Sequence, residues 1–157
     1  MPGGSPQTHL VTRHTIGLLI VLAGALAACS GRVEVALPVR ADDPACARVG
    51  AHWPERVMGR ERAATTAEGP AVAAWGDPAL IARCGLQPPG PTTDPCIGVD
   101  GVDWVSRQVE GGTIFLTYGR DPAIQVLVPT AYAPAPMTLP AFADAARQIP
   151  QGPHRCS

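Results

Sequence analysis

Hydrophobic positions between residues 71 and 128 alternate with polar ones in short runs that are separated by turn residues. Such runs of four to eight residues are typical of β-strands, and they cover residues 71–75, 80–85, 102–109, 113–118 and 123–128. Gly-Asp-Pro, Glu-Gly-Gly and Gly-Arg-Asp-Pro stand between them and are typical turn sequences. The pattern predicts an antiparallel meander of about five short strands.

A helix is predicted on each side of this strand-rich region. Asp43 followed by Pro44 is typical of an N-cap and a first helical position, and this helix is expected to end near Ala51. Thr138 is expected to cap a second helix, which Pro150 stops and whose apolar residues recur at helical spacing at Leu139, Phe142, Ala146 and Ile149. Strands grouped between two helices indicate an α+β fold.

The amino-terminal region has the layout of a secretory signal. A polar stretch containing Arg13 precedes an uncharged apolar run at 16–28, and Cys29 follows directly. The tetrad Leu26-Ala27-Ala28-Cys29 resembles the bacterial lipobox, in which the cysteine thiol is acylated and becomes the mature amino terminus. We therefore expect a lipoprotein signal peptide at 1–28, with the exported chain anchored by lipid at Cys29 to the outer face of the cytoplasmic membrane.

An uncleaved membrane helix and an ordinary cleavable signal are the alternatives for this segment. The apolar run of 13 residues reaches only about 20 Å as a helix, whereas the hydrocarbon core of a bilayer is ~30 Å thick. The short length favours the lipoprotein interpretation over a single-pass anchor.

The boundary between anchor and domain lies between residues 29 and 42. Arg32 to Leu37 alternates like a half-buried strand, and Pro38 ends the alternation. The segment at 29–42 is thus either a membrane-proximal edge strand or a flexible tether, and both interpretations stay open. Residues 43–157 form the predicted small α+β domain.

Five cysteines are an odd number for an exported chain, and lipidation of Cys29 resolves the count. The remaining four can form two disulfides in three ways, and they are Cys46, Cys84, Cys96 and Cys156. Because Cys84 and Cys96 flank a proline-rich loop, we favour a local bridge between them and a second from Cys46 to Cys156. A zinc site has little support, because no C-x2-C or H-x3-H spacing occurs.

Composition and charge restrict the function further. The net charge of −1 argues against nucleic-acid binding, which needs a basic surface, and 18 Pro with 17 Gly argue against a long-helix bundle. The sequence contains no nucleophile elbow, P-loop, G-x-G-x-x-G or H-E-x-x-H motif. It therefore predicts no catalytic residue, no metal ligand and no cofactor.

Histidines and carboxylates are the remaining candidates for acid-base chemistry. The predicted Cys46–Cys156 bridge would bring His52 and His154 near one pole of the domain, where a metal or an acid-base pair is conceivable, although solvent exposure of both is favoured. Four aspartates invite comparison with a glycosidase pair, namely Asp77, Asp100, Asp103 and Asp121. Turns explain them better, because Asp77 and Asp121 precede proline and Asp100 precedes glycine, so structural roles are favoured.

Arginines and tryptophans are the candidate binding groups. Arg56, Arg60 and Arg62 match phosphate oxygens in chemistry, but the interleaved Glu55 and Glu61 favour a solvated surface. The three tryptophans are expected in the core rather than on a ligand-stacking surface; they are Trp53, Trp75 and Trp104.

Several motifs together resemble one known family. The chain carries Trp75-Gly76-Asp77-Pro78, Arg83-Cys84-Gly85, Val102-Asp103-Trp104 and Tyr118-Gly119-Arg120-Asp121-Pro122. In their order and spacing these resemble an actinobacterial family of exported lipoproteins, the domain of unknown function 3515 family, over about Asp43 to Cys156. One departure is Trp53, where the family pattern has Leu before the proline. The resemblance implies an envelope lipoprotein with a disulfide-bearing domain and transfers no catalytic residue.

Two function classes follow from these observations. The favoured one is a membrane-tethered binding or accessory domain for an envelope protein or polymer, without enzymatic activity. The other is a cryptic enzyme of the cell wall, which would require a pocket with two convergent ionisable groups.

Overall fold

The computed structural model describes residue 4 and residues 31–157. A short helix, α1, comes first, and a strand-rich region follows it. The chain then ends in two 3₁₀ helices and a second short α-helix. The elements in chain order are α1 (Pro44–Gly50), β1 (Arg56–Val57), β2 (Arg60–Ala63), β3 (Val72–Trp75), β4 (Leu80–Leu86), β5 (Cys96–Val99), β6 (Val102–Val109), β7 (Gly112–Thr117), β8 (Ala123–Pro129), 3₁₀ helices at Thr130–Tyr132 and Ala135–Phe142, and α2 (Ala143–Arg147).

The strands of this region form one antiparallel sheet in the order β1-β2-β3-β4-β8-β7-β6-β5. The chain leaves β4, crosses to the far edge at β5 and returns strand by strand until β8 pairs with β4. The α+β class is confirmed, and each of the five predicted strands is present. The predicted number of about five strands is wrong, because residues 31–157 contain eight strands.

The three additional strands lie in two hairpins. The charge pattern at 55–62 predicts solvated surface, and this is confirmed, since every residue of that stretch except Val57 is exposed. The hairpin was not predicted: β1 and β2 pair across a turn in which Met58 and Gly59 both have positive φ, 50° and 75°. This is the backbone of a type I′ turn, which usually carries Asn-Gly. Because Met58 stands at the first turn position instead, the sequence did not indicate this turn. Strand β5 pairs with β6 across Asp100-Gly101, with φ of 47° and 74°.

One face of the sheet, here called the inner face, packs against the helices. Strands β4 and β8 turn Leu80, Ala82, Ile124 and Val126 toward this face, and all four are fully buried. Three aromatic rings join the helices to the sheet: Trp53, Trp75 and Phe142 contact one another edge to face at centroid distances of 5.4 to 6.4 Å. The core therefore lies between the sheet and the helical layer.

The two helices match the prediction unequally. Helix α1 begins as expected, since Asp43 Oδ1 accepts a hydrogen bond from the amide of Ala45 at 2.9 Å. The C-terminal helix begins before Thr138, whose hydroxyl donates to the carbonyl of Ala135 at 2.8 Å, so Thr138 is not its N-cap. Pro140 lies inside this segment, and the chain is 3₁₀ up to Phe142 and α-helical only afterwards. The four predicted apolar residues are all buried, namely Leu139, Phe142, Ala146 and Ile149.

Residues 31–42, here called the strap, lie against the opposite, outer face of the sheet. Val33 forms an isolated parallel bridge with Thr65, and its backbone bonds to Ala64 O and Thr66 N at 2.8 and 2.9 Å. Further along, the amide of Arg40 donates to Gly85 O at 3.1 Å. A side chain at Gly85 would clash with the backbone of Arg40, at 2.5 Å from a Cβ, so the close contact requires glycine there. The strap is attached to the domain by these bonds, without forming a regular strand.

The predicted signal segment at 1–28 and the lipidation site Cys29 lie outside the described residues. Within the described part of the chain, no helix has the length and apolar character needed to cross a membrane.

Candidate functional site

Two disulfides cross-link the domain, and their pairing differs from the prediction. All four cysteines expected to pair do so, but Cys46 is bonded to Cys84 and Cys96 to Cys156. The predicted pairs Cys84–Cys96 and Cys46–Cys156 are therefore wrong. One bridge fastens α1 to the inner face at β4, and the other fastens the C-terminal segment to edge strand β5.

The strand order explains why the local bridge does not form. Cys84 lies on β4 and Cys96 on β5, with three strands between them, which corresponds to roughly 19 Å at the usual ~4.8 Å strand spacing. The proline-rich residues 87–95 carry the chain across this distance. They act as a spacer along the end of the sheet and not as a closed lasso.

The two histidines make separate local contacts. His52 Nδ1 lies 2.8 Å from the carbonyl of Arg48 at the end of α1, whereas the His154 ring lies tilted beside that of Tyr118 with centroids 5.6 Å apart. The predicted Cys46–Cys156 bridge, which would have brought the two histidines near each other, does not form, because Cys46 is bonded to Cys84 and Cys156 to Cys96. No group of three or more His, Cys, Asp or Glu suited to a metal ion occurs among the described residues.

The candidate aspartates serve turns and local contacts. Asp100 occupies the β5–β6 turn, and Asp77 follows Gly76 in the β3–β4 turn. Asp121 forms an ion pair with Arg40 of the strap, and Asp103 Oδ2 accepts from the amide of Cys156 at 3.2 Å. The structure thus spreads these four carboxylates over different contacts and does not assemble them into a pair.

The arginines of the β1–β2 hairpin are engaged within the domain. Arg62 donates to the carbonyls of Trp53 and Pro54 at 2.9 and 3.2 Å and lies over the Trp75 ring. Arg56 pairs with Glu61, and Arg60 lies over the ring of Tyr132. Arg60 and Arg62 thus hold the hairpin against the core, whereas the Arg56–Glu61 pair links its two strands.

The tryptophans lie in the core, as predicted. Trp53, Trp75 and Trp104 are at most 4% exposed. The indole N–H groups of Trp53 and Trp75 donate to the carbonyls of Pro70 and Pro54 at 2.8 and 3.0 Å. The indole at position 53 therefore makes a hydrogen bond that the leucine expected there from the resemblance cannot make.

The first surface feature of interest is a cleft of about 350 Å³ at the end of the inner face, which the helical layer leaves uncovered. Phe115 and Val128 form its apolar floor, and Thr113 Oγ1 donates to Gln108 Oε1 at 3.1 Å on one wall. The cleft is lined by residues of the sheet and of the chain around the 3₁₀ helices, namely Ile97, Ser106, Gln108, Thr113, Phe115, Val128, Thr130, Ala133, Ala135 and Pro136. We call this the inner cleft; its described lining is apolar with hydroxyl and amide groups.

Sequence reasoning missed the inner cleft, although β6 carries a signal for it. Val102 and Trp104 face the core, and Ser106 and Gln108 follow at the same alternate positions. Polar residues that replace apolar ones on a core-facing stripe indicate where the core layer ends.

The second feature is a groove of about 440 Å³ between the strap and β4. Residues 37–40 form one wall, and Arg83, Gly85, Leu86 and Gln87 form the other. Arg83 is partly buried, which lowers the pKa of its guanidinium, and it donates to Gln125 Oε1 and to Ala36 O. Hydrogen bonds from Arg40 to Asp121 and Asp43 raise the pKa of the Arg40 guanidinium. We call this the strap groove; its cations hold the strap in place.

These features define a class: a small, doubly disulfide-bonded α+β domain with one antiparallel sheet and a cleft at the end of its inner face. A family model described as "Protein of unknown function (DUF3515)" matches residues 14–153. The chain belongs to this family, which confirms the resemblance at the level of the family. No curated protein and no solved structure matches the chain.

Proposed function

We propose that this protein is a cell-envelope lipoprotein, acylated at Cys29 and held at the outer face of the cytoplasmic membrane. Its domain acts by binding an envelope protein or polymer and not by turnover. The inner cleft carries the binding part of this proposal, and the cysteines support the location.

Cysteine usage supports export. The four cysteines after Cys29 bond to one another, and structural disulfides persist in oxidising compartments outside the cytoplasm. Since these four are fully used in two bridges, Cys29 needs a separate fate in an exported chain. Acylation at Leu26-Ala27-Ala28-Cys29 supplies that fate, and two or more acyl chains suffice for stable anchoring.

The lining of the inner cleft supports binding. Ligand sites combine apolar walls with a few polar groups that fix orientation, and here Phe115 and Val128 supply the walls while Gln108 and Thr113 supply hydrogen-bonding groups. None of the ten residues that line the cleft is ionisable. General acid-base chemistry needs such a group within hydrogen-bond reach, so this lining suits recognition and not proton transfer.

Site-specific photo-crosslinking in intact cells tests the binding part. A photoreactive amino acid at Gln108, on the wall of the cleft, is compared with the same amino acid at Glu110, which lies two residues further on in the β6–β7 turn and does not line the cleft. We expect one defined envelope adduct from position 108 and none of it from position 110. Identical adducts from both positions would contradict binding in the cleft.

Mass spectrometry of the membrane fraction tests the anchor. The mature chain is expected to begin at acylated Cys29, and Cys29→Ala is expected to leave the protein unacylated and displaced from its place at the membrane. An intact Met1 terminus on the mature protein would refute the lipoprotein proposal.

A further inference from the structure

Two apolar side chains of the strap project into solvent. Leu37 is 53% exposed and Val39 is 100% exposed. They flank Pro38 on the rim of the strap groove, whose opposite wall includes Leu86. The other large apolar side chains of the described residues with comparable exposure, Met58 and Met137, lie elsewhere, on the β1–β2 turn and the second 3₁₀ helix.

The backbone holds these side chains outward. The amide of Ala41 donates to Pro38 O at 3.1 Å and closes a turn around Val39, and the next residue, Arg40, is bonded to Gly85 O. On the other side of Leu37, the carbonyl of Ala36 accepts from Arg83. Because bonds on both sides fix the turn, Val39 is presented to solvent by the fold and not by a loose end.

The length of chain before the strap limits how far this turn lies from the lipid. Three residues lie between Cys29 and Val33, whose backbone is bonded to the segment that follows β2, and four residue steps allow at most about 14 Å at ~3.6 Å per residue. Leu37 follows four residues later, so it lies at most about 29 Å from Cys29 along a fully extended chain. An anchor this short places the face that bears the strap next to the bilayer.

We propose that Leu37 and Val39 insert into the membrane and form a second contact beside the acylated Cys29. This inference rests on the proposed lipid anchor. The strap groove faces the bilayer, and lipid is the molecule that contacts it. The domain lies on the membrane surface with the turn at 37–40 pointing into the lipid. The insertion is apolar: the charge of Arg40 is paired with Asp43 and Asp121, so anionic headgroups are not required and zwitterionic lipid suffices.

Tryptophan quenching by brominated lipid tests this directly. The full acylated protein is reconstituted in phosphatidylcholine vesicles with and without brominated acyl chains, as wild type, Val39→Trp and the control Glu110→Trp. Glu110 lies in the β6–β7 turn, at the opposite end of the strands from Gly85 and Leu86. The wild type gives the background of the three buried native tryptophans.

We expect brominated lipid to remove roughly half or more of the added emission of Val39→Trp, because inserted side chains reach ~5–10 Å into the boundary of headgroups and acyl chains. The added emission of Glu110→Trp is expected to stay unchanged. Leu37→Trp repeats the measurement at the second position, and intact disulfides in the non-reduced mass confirm the fold of each variant.

Two results overturn the inference and are distinguishable. Equal quenching of the added emission in acylated Val39→Trp and Glu110→Trp contradicts membrane insertion but leaves the lipid anchor intact, and it assigns the groove to a protein or soluble ligand. A mature chain without acylation at Cys29 overturns the proposed anchor and the insertion together.

Discussion

Single charged residues fasten the strap to the domain. Arg40 bonds to Asp43 at the start of α1 and to Asp121 in the β7–β8 turn, while Arg83 joins Gln125 on β8 to the carbonyl of Ala36. Each of these bonds connects parts of the chain that are far apart in sequence or belong to different elements. Asp43 serves twice, because it also caps α1.

The double role of Asp43 predicts a pH-dependent stability. Its pKa lies below the ordinary value of 3.8, first because the Ala45 amide donates to the carboxylate and then because Arg40 does. A carboxylate with a lowered folded-state pKa contributes fully to stability above 3.8, and the contribution is lost as the pH falls through the lowered pKa. Asp43→Asn keeps the cap acceptor and removes the charge.

We therefore expect the wild type to be more stable than Asp43→Asn at neutral pH and the difference to disappear in acid. Urea unfolding of both proteins from about pH 7 to about pH 2 measures this difference. Asp42→Asn, one residue away, is the control for loss of one carboxylate. A gap between wild type and Asp43→Asn that is constant over the whole range would contradict the role of the charge.

Among the elements, those with strong local patterns were predictable. The five alternating or apolar runs became strands, and Asp43-Pro44 began α1 as expected. Asp100-Gly101 was available as a hairpin signal for β5, because Asp-Gly between apolar residues favours a type I′ turn. Met58-Gly59 gave no such signal for the β1–β2 hairpin, because methionine does not indicate a positive φ. The disulfide pairing depended on β8 entering beside β4, a long-range event that local sequence does not encode.

The observed pairing predicts unequal losses when the bridges are removed. The sequence separations of 38 and 60 residues give similar chain-entropy contributions of about 4 kcal/mol each. Cys46 and Cys84 are fully buried, whereas Cys96 and Cys156 are partly exposed. Burial therefore decides which bridge matters more. The Cys46→Ala/Cys84→Ala variant should lose roughly 1 to 2 kcal/mol more unfolding free energy than Cys96→Ala/Cys156→Ala, because removing the buried sulfurs also leaves a cavity.

Denaturant unfolding of the two double-alanine variants beside the wild type checks this order. Non-reducing peptide mapping of the wild type should first recover Cys46 linked to Cys84 and Cys96 linked to Cys156. A larger loss of unfolding free energy for Cys96→Ala/Cys156→Ala would show that the longer loop outweighs the buried sulfurs.

On the scale of the whole molecule, the two candidate histidines make separate contacts. His52 and His154 contact different parts of the domain, and Asp103 holds the backbone of Cys156. The two clefts described lie on opposite faces of the sheet and differ in character: one is apolar with hydroxyl and amide groups, the other contains two arginines.

The separation of the histidines, together with the turn and backbone contacts of Asp77 and Asp103, predicts which substitutions the cell tolerates. In a deletion strain, alanine at any of four candidate residues should restore the phenotype to within about twofold of wild type wherever folding survives, whereas Cys29→Ala should fail; the four are His52, His154, Asp77 and Asp103. Complementation with protein levels matched by immunoblot measures this. A well-folded His52→Ala or His154→Ala protein that fails to complement would favour the alternative function, a cell-wall enzyme.

The two edges of the sheet have a consequence for the proposed attachment of many copies to one membrane surface. An open edge strand is a template for pairing with another chain and hence for aggregation. Here one edge is β1, only two residues long and preceded two residues earlier by Pro54, and the other is the four-residue β5, preceded by Pro95 and fastened at Cys96 to the C-terminal segment. Short, proline-bordered edges offer little backbone for cross-strand association, so copies that the proposed lipid anchor would concentrate on one membrane surface would collide without joining their sheets.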